Sequence, residues 1–219
     1  MNETHPISIA IDGPSGAGKS TLARRLATTL HFLYVDTGAI YRTIAYYTFA
    51  NHLDPADEAA VLAALPNIRI ELRHDAEGLQ RMILNGEDVT DAIRLPQISQ
   101  YASVVSAYPG VRAFLLEMQR DFARKGSVIM DGRDIGTVVL PHADVKIFLT
   151  ASPEARARRR CLELEQRGTP EPFDQVLSEI QQRDWDDSHR ETAPLRPAED
   201  AVLLDNSDFT FQQSVERLG

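Results

Sequence analysis

One cysteine, Cys161, is all that the 219 residues contain. No intrachain disulfide can form, which fits a reducing compartment. Cys161 itself reads as a packing residue rather than a nucleophile. Long apolar runs are absent, and so is an N-terminal signal pattern. Neither a membrane span nor export is therefore expected. An excess of positive charge is missing as well. Lys and Arg number 23 against 32 Asp and Glu, for a net charge of −9 and a pI of about 5.1. That balance argues against non-specific binding to nucleic acid or an anionic membrane as the main role, and leaves room for a local basic cleft. No internal repeat or low-complexity tract appears. A cytoplasmic protein with no nucleic-acid and no membrane partner is the expectation.

What is present suits a core. At 43 % hydrophobic residues, the length fits a single α/β domain with a small insert. "ISIAID" (7–12), "FLYVD" (32–36), "SVIMD" (127–131), "VKIFLT" (145–150) and "AVLLD" (201–205) read as strands. Their nearly unbroken apolar character is that of strands buried on both faces of a parallel sheet. Asp12, Asp36 and Asp131 close three of them, each followed by Gly or Thr-Gly. Ligands gather at the carboxyl ends of strands in such sheets. Helical patterns fill about 19–30, 38–51, 55–65, 97–124, 153–167 and 174–190, and a short final helix is expected toward Gly219. The stretch 67–90 alternates apolar and polar residues and carries turn signals at "DAEG" and "NG". It predicts an antiparallel β insert of two or three strands, either a surface decoration or part of a site.

"GPSGAGKST" (13–21) fits G-x-x-x-x-G-K-[ST], between a strand and a helix. Gly13, Gly16 and Gly18 let the backbone curl so that its N–H groups, with those of Pro14's neighbours Ser15 and Ala17 and on to Thr21, face an anion. The following helix adds its positive end. Lys19 is placed to reach the β- and γ-phosphates of a nucleoside triphosphate such as ATP, and the Ser20 hydroxyl to hold Mg²⁺.

The loop alone leaves a GTPase switch, a partner-coupled ATPase and a small-molecule kinase open. The guanine-reading string N-K-x-D does not occur. A kinase needs a second anion site and a closing lid, and candidates exist for both. Arg42, in "DTGAIYR" (36–42), offers a bidentate fork for an acceptor phosphate, or is a solvated surface arginine. Arg156, Arg159 and Arg160 share a helical face in "SPEARARRRCLELEQRG" (152–168). They suit a lid over a triphosphate, with Glu163 and Glu165 as competing local partners. In 173–190 the stripe Phe173, Val176, Leu177, Ile180 continues as Arg183, Asp184, Asp187 and Arg190, so an inward face turns charged. It lines a polar cleft, or its charges pair in solvent at the helix end. In "DGRDIGTVV" (131–139), Asp131 can orient Mg²⁺ through water. Arg133 and Asp134 can read a base edge, or form a structural turn.

Taken together, "IDGPSGAGKS", "DTGAIYR", "DGRDIGTVVLPHADVKIFL", "RRR", "RDWDDSHR" and "APLRPAEDAVLLD" resemble bacterial cytidylate kinases from about residue 7 to 206. "DGRDIGT" followed by P-x-A-x-x-K-I-F-L is far more specific to them than the phosphate loop. The resemblance implies an adenylate-kinase-like P-loop NTPase fold, a five-stranded parallel sheet flanked by helices with a small antiparallel β insert. It implies one nucleoside monophosphate kinase domain over 1–219, with core at about 1–65 and 92–219, an acceptor-region insert at about 66–91 and a lid at about 153–172. The implied reaction is transfer from ATP, with Mg²⁺, to CMP or dCMP, giving CDP or dCDP in pyrimidine metabolism by a monomer. Carried over by motif, Lys19 and the loop amides hold ATP. Thr37 and Arg42 lie near the acceptor phosphate, Ser103 and Arg112 near the cytosine, and Arg133 and Asp134 at the acceptor. Arg183, Asp187 and Arg190 grip its sugar and phosphate, and Arg156, Arg159 and Arg160 form the lid. The Asp187 carboxylate can accept from two sugar hydroxyls or from one, so ribose and deoxyribose both suit it.

Overall fold

The computed structural model describes residues 5–76 and 78–208. The expected final helix lies outside them. In chain order the elements are β1 (Ser8–Asp12), α1 (Lys19–Leu30), β2 (Leu33–Asp36), α2 (Thr37–Ala50), α3 (Glu58–Ala64), β3 (Ile70–His74), β4 (Gln80–Leu84), β5 (Glu87–Asp88), α4 (Pro96–Val105), α5 (Pro109–Lys125), β6 (Val128–Gly132), β7 (Val145–Thr150), α6 (Pro153–Gln166), α7 (Phe173–His189) and β8 (Val202–Asp205). The chain divides into two compact units, Met1–Leu33 with Gly126–Gly219, and Tyr34–Lys125. The β insert is part of the second.

A five-stranded parallel sheet runs in the order β2-β6-β1-β7-β8. β1 is parallel to β6, Ile11 opposite Asp131, and to β7, Ile11 opposite Ile147. Ala10, Ile11, Val128, Ile129 and Met130 are fully buried, which is why these strands lack alternation. The register brings Asp12 and Asp131 to the same carboxyl end of the sheet.

Helices follow from local signals. α1 starts after Gly18 and stops at His31, whose left-handed backbone returns its N–H to the Ala27 carbonyl. α6 is capped by Ser152, whose hydroxyl accepts from the Ala155 N–H, and carries Pro153 in its first turn. Ala157 and Leu164 of α6 pack on Val176 of α7, with Cys161, Leu177 and Ile180 half-buried around them. Cys161 is thus a packing residue.

In the second unit, β3, β4 and β5 form an antiparallel sheet closed by Asn85 and Gly86, both at positive φ. α2 packs on α4, with Phe49 edge-on to Tyr101. One helix expected over 97–124 is instead two, α4 and α5, separated at residues 106–108. Pro109 has no N–H to continue a helix and pushes Tyr108 toward extended backbone, so α5 restarts at the proline. The helix expected from 55 begins at Glu58 because Asp57 accepts the Ala60 N–H, and residues 65–67 tighten into a 3₁₀ turn.

Candidate active site

The phosphate loop leaves β1 through Gly13, at φ 147°. A Cβ there would lie 1.9 Å from the Leu149 carbonyl oxygen, so no other residue fits this close approach. Gly16 and Gly18 also stand at positive φ. Lys19 is buried, and its Nζ donates to the Pro14 carbonyl at 2.8 Å, across the mouth of the loop. Burial pushes its pKa down to about 7, aided by the Arg133 charge, while Asp131, Asp12 and Asp187 pull the other way. The Ser20 hydroxyl donates to Asp131 Oδ2 at 2.9 Å. These two oxygens fit Mg²⁺, which binds through one or two protein groups and takes its other ligands from phosphates and water. Among the described residues no cluster of three or more acidic, His or Cys side chains could hold a metal.

Beside them, Arg133 Nε donates to Asp187 Oδ2 at 2.7 Å. Arg190 lies 3.8 Å from both Asp187 and Asp134. Burial works against the Asp187 charge, but the Arg133 guanidinium, with Arg183 and Arg190, outweighs it and holds the carboxyl below its usual range. The face of α7 carrying Arg183, Asp184 and Asp187 is therefore half-buried, while Trp185, Asp186, Ser188 and His189 stay exposed. The alternative of a self-contained Arg133–Asp134 turn does not describe them, since Arg133 pairs with Asp187 of α7 and Asp134 with Arg190 just after it.

The three arginines of α6 part company. Arg156 is 2 % exposed. Its guanidinium donates to the Ala151 and Ser15 carbonyls and, at 2.9 and 2.5 Å, to the two Asp184 oxygens. It is anchored on the phosphate loop itself. Arg159 donates to the Asn206 side chain and carbonyl. Arg160 stands outside with Glu163 at 3.3 Å. A groove of about 400 Å³ passes Pro14, Phe148, Arg156, Asp184 and Asp205. A hollow of similar size near Pro66, Arg69 and Gly86 holds none of the candidate residues.

In the second unit, Asp36 caps α2 by accepting the Ala39 N–H and holds Arg42 at 3.0 Å. Thr37 is buried beside them. The Arg42 Nε is buried with no hydrogen-bond partner, an orphan donor of the kind an anion would satisfy. Arg112 lies over the Tyr41 ring, 5.3 Å from its centre, and donates to the Ser106 carbonyl. Ser103 is half-buried on α4.

Residues 9–218 match the family model described as "Cytidylate kinase". The chain belongs to this family. Curated cytidylate kinases of Geobacillus kaustophilus and Caldicellulosiruptor bescii are 50 % and 46 % identical over 97 % of the chain, and 94 % and 93 % of the relatives' lengths. That of Carboxydothermus hydrogenoformans is 49 % identical over 96 % and 94 %. The molecule is a kinase, and its phosphate-loop fold fits that assignment. Among the described residues, no helix is long and apolar enough to cross a membrane.

Within this family member, Asn206 was not visible as a site residue. It is buried, donates to the Ala17 carbonyl at 2.9 Å and receives Arg159. Its place just after β8 is the only signal that could have marked it. Asp12 was visible as a strand-end carboxylate but without a task. Its oxygens accept the Ile135 and Gly136 N–H groups. Burial raises its pKa to about 6, against the pull of these amides and of Lys19.

Proposed function

We propose that this chain transfers the γ-phosphoryl group of ATP to CMP and dCMP, with Mg²⁺, as a cytoplasmic monomer of pyrimidine nucleotide metabolism. The observation that carries the reading is the match to named cytidylate kinases along almost the whole chain. The geometry is compatible with it. The loop amides from Gly13 to Thr21 and Lys19 would hold the ATP phosphates. Ser20 and Asp131 would hold Mg²⁺, which neutralises charge between the β- and γ-phosphates. Arg156, held by Asp184 against the Ser15 carbonyl, would stabilise the charge that develops on the transferred group, with Arg159 and Arg160 further along the lid.

No protein nucleophile is needed, because the acceptor's own phosphate oxygen attacks in line. Asp187 is the proposed partner of the acceptor sugar. It would share its oxygens between Arg133 and one or two hydroxyls, which allows ribose and deoxyribose alike. Arg183, Arg190, Arg133 and Asp134 complete this acceptor set in the first unit. In the second, Thr37 and Arg42 are assigned to the acceptor phosphate, and Ser103 and Arg112 to the base.

ADP release from Mg-ATP, measured with CMP, dCMP, UMP, AMP, GMP and no acceptor, tests the proposal. Strong turnover with CMP and dCMP and little without acceptor is expected. Turnover with UMP alone would reassign the base-reading residues. Equal release in every tube would mean a hydrolase and remove the acceptor site.

A further inference from the structure

Asp12 has no task in the reading above, yet its environment is built with care. It closes β1 immediately before Gly13 and is buried. Its two oxygens meet two consecutive amides from far along the chain. Oδ1 accepts from the Ile135 N–H at 2.8 Å and Oδ2 from the Gly136 N–H at 2.7 Å. Those amides open the single π-helical turn 135–139. So short a turn has little stability of its own, and its first N–H groups have no partner within it. Asp134, the residue before it, makes no side-chain cap. Asp12 supplies the cap from a different strand.

The turn is gripped from its other flank too. A Cβ on Gly136 would meet Lys146 Cδ at 3.2 Å and Asp12 Oδ2 at 3.4 Å. Lys146 is itself tied to the Pro141 carbonyl and Asp200. Directly before the capped amides stand Arg133 and Asp134, which pair with Asp187 and Arg190. On the near side, Asp12 is bonded to Gly13, where the chain passes so close to the Leu149 carbonyl that no side chain fits. One carboxylate thus ties the first residue of the phosphate loop to the segment carrying Arg133 and Asp134.

We propose that Asp12 is a positioning residue for the acceptor: it caps the turn 135–139 so that Arg133 and Asp134 are held in place before the acceptor arrives. It touches neither substrate. The inference rests on the acceptor roles proposed for Arg133 and Asp134. A general brace of the sheet would act on donor and acceptor alike, and this difference decides the test.

Asp12→Asn keeps the side chain's shape but turns an NH₂ donor toward an amide. The variant is expected to raise the KM for CMP about tenfold or more while the Kd for ATP, by calorimetry, stays within about twofold. The Ile135 and Gly136 amides should exchange with deuterium faster than in the unaltered protein. An unchanged KM for CMP, or equal losses for CMP and ATP, overturns the proposal. If Asp12→Asn does not fold, Asp12→Ser carries the same readouts, because its shorter side chain removes the carboxylate from the Ile135 and Gly136 amides. If the unaltered protein does not phosphorylate CMP, the proposed function fails instead, and the amide exchange alone decides whether Asp12 pins the turn.

Discussion

Buried among Arg133, Asp131, Asp12 and Asp187, Lys19 gives up its proton near pH 7 in the free protein. A triphosphate reverses that, since nearby negative charge favours the ammonium. At pH 8 the free side chain is mostly neutral and the bound one charged, so binding must take up a proton. Calorimetry of ATP binding in buffers of different ionisation enthalpy is expected to show uptake of up to about one proton at pH 8, fading toward pH 6. Absence of uptake would mean that Lys19 is already charged in the free protein or does not meet the phosphates. At this scale the sequence was legible where a motif fixes a residue's place, as for Lys19 at the mouth of the loop and Ser20 beside Asp131. It was not legible where the task depends on a partner distant in sequence. Arg156, Arg159 and Arg160 share a helical spacing, yet one lies on Asp184, one on Asn206 and one on Glu163. Only the last partner is local enough to read from the sequence.

Between elements, α6 and α7 are joined by apolar contacts and by one ion pair, buried Arg156 with half-exposed Asp184. Removing Asp184 strands the buried Arg156 charge, which costs at most about 3 kcal/mol here because Arg156 keeps two carbonyl partners. Asp184→Ala is expected to fall in this range by urea unfolding. Asp184→Asn, which keeps one acceptor for the guanidinium, should cost less. Equal stability of all three proteins would show that Arg156 is satisfied by the Ala151 and Ser15 carbonyls alone. Elements were legible in proportion to how local their causes are. Unbroken apolar runs marked the five parallel strands, and "NG" marked the β4–β5 link. The break before Pro109 was missed because apolar residues continue on both sides of it. The turn 135–139 could not be read at all, because Asp12, which caps it, lies 123 residues before its first amide.

For the molecule as a whole, the same carboxylate leaves a trace in stability. Its folded pKa of about 6 lies above the ordinary 3.8. The folded state therefore holds the proton more tightly, and the stability Asp12 contributes declines as pH rises from about 4 to about 6. A shift of about two units corresponds to about 3 kcal/mol. Asp187 acts in the opposite sense, its depressed pKa favouring the fold above the ordinary carboxylate range and losing that contribution as pH falls. Unfolding free energies of the unaltered protein and of Asp12→Asn, followed from pH 4 to pH 7, separate the two. Relative to the variant, the unaltered protein is expected to lose stability over this range. Parallel curves would mean that Asp12 is not held as described.

The sequence contains one tryptophan, Trp185. It lies on α7 between Asp184 and Asp187, with its ring stacked on His189 at 4.5 Å between centroids. All indole emission from this protein thus originates from the helix that carries Asp187 and the partner of Arg156. Indole fluorescence therefore watches a single element, and stopped-flow mixing with either nucleotide can time its response without a reporter dye.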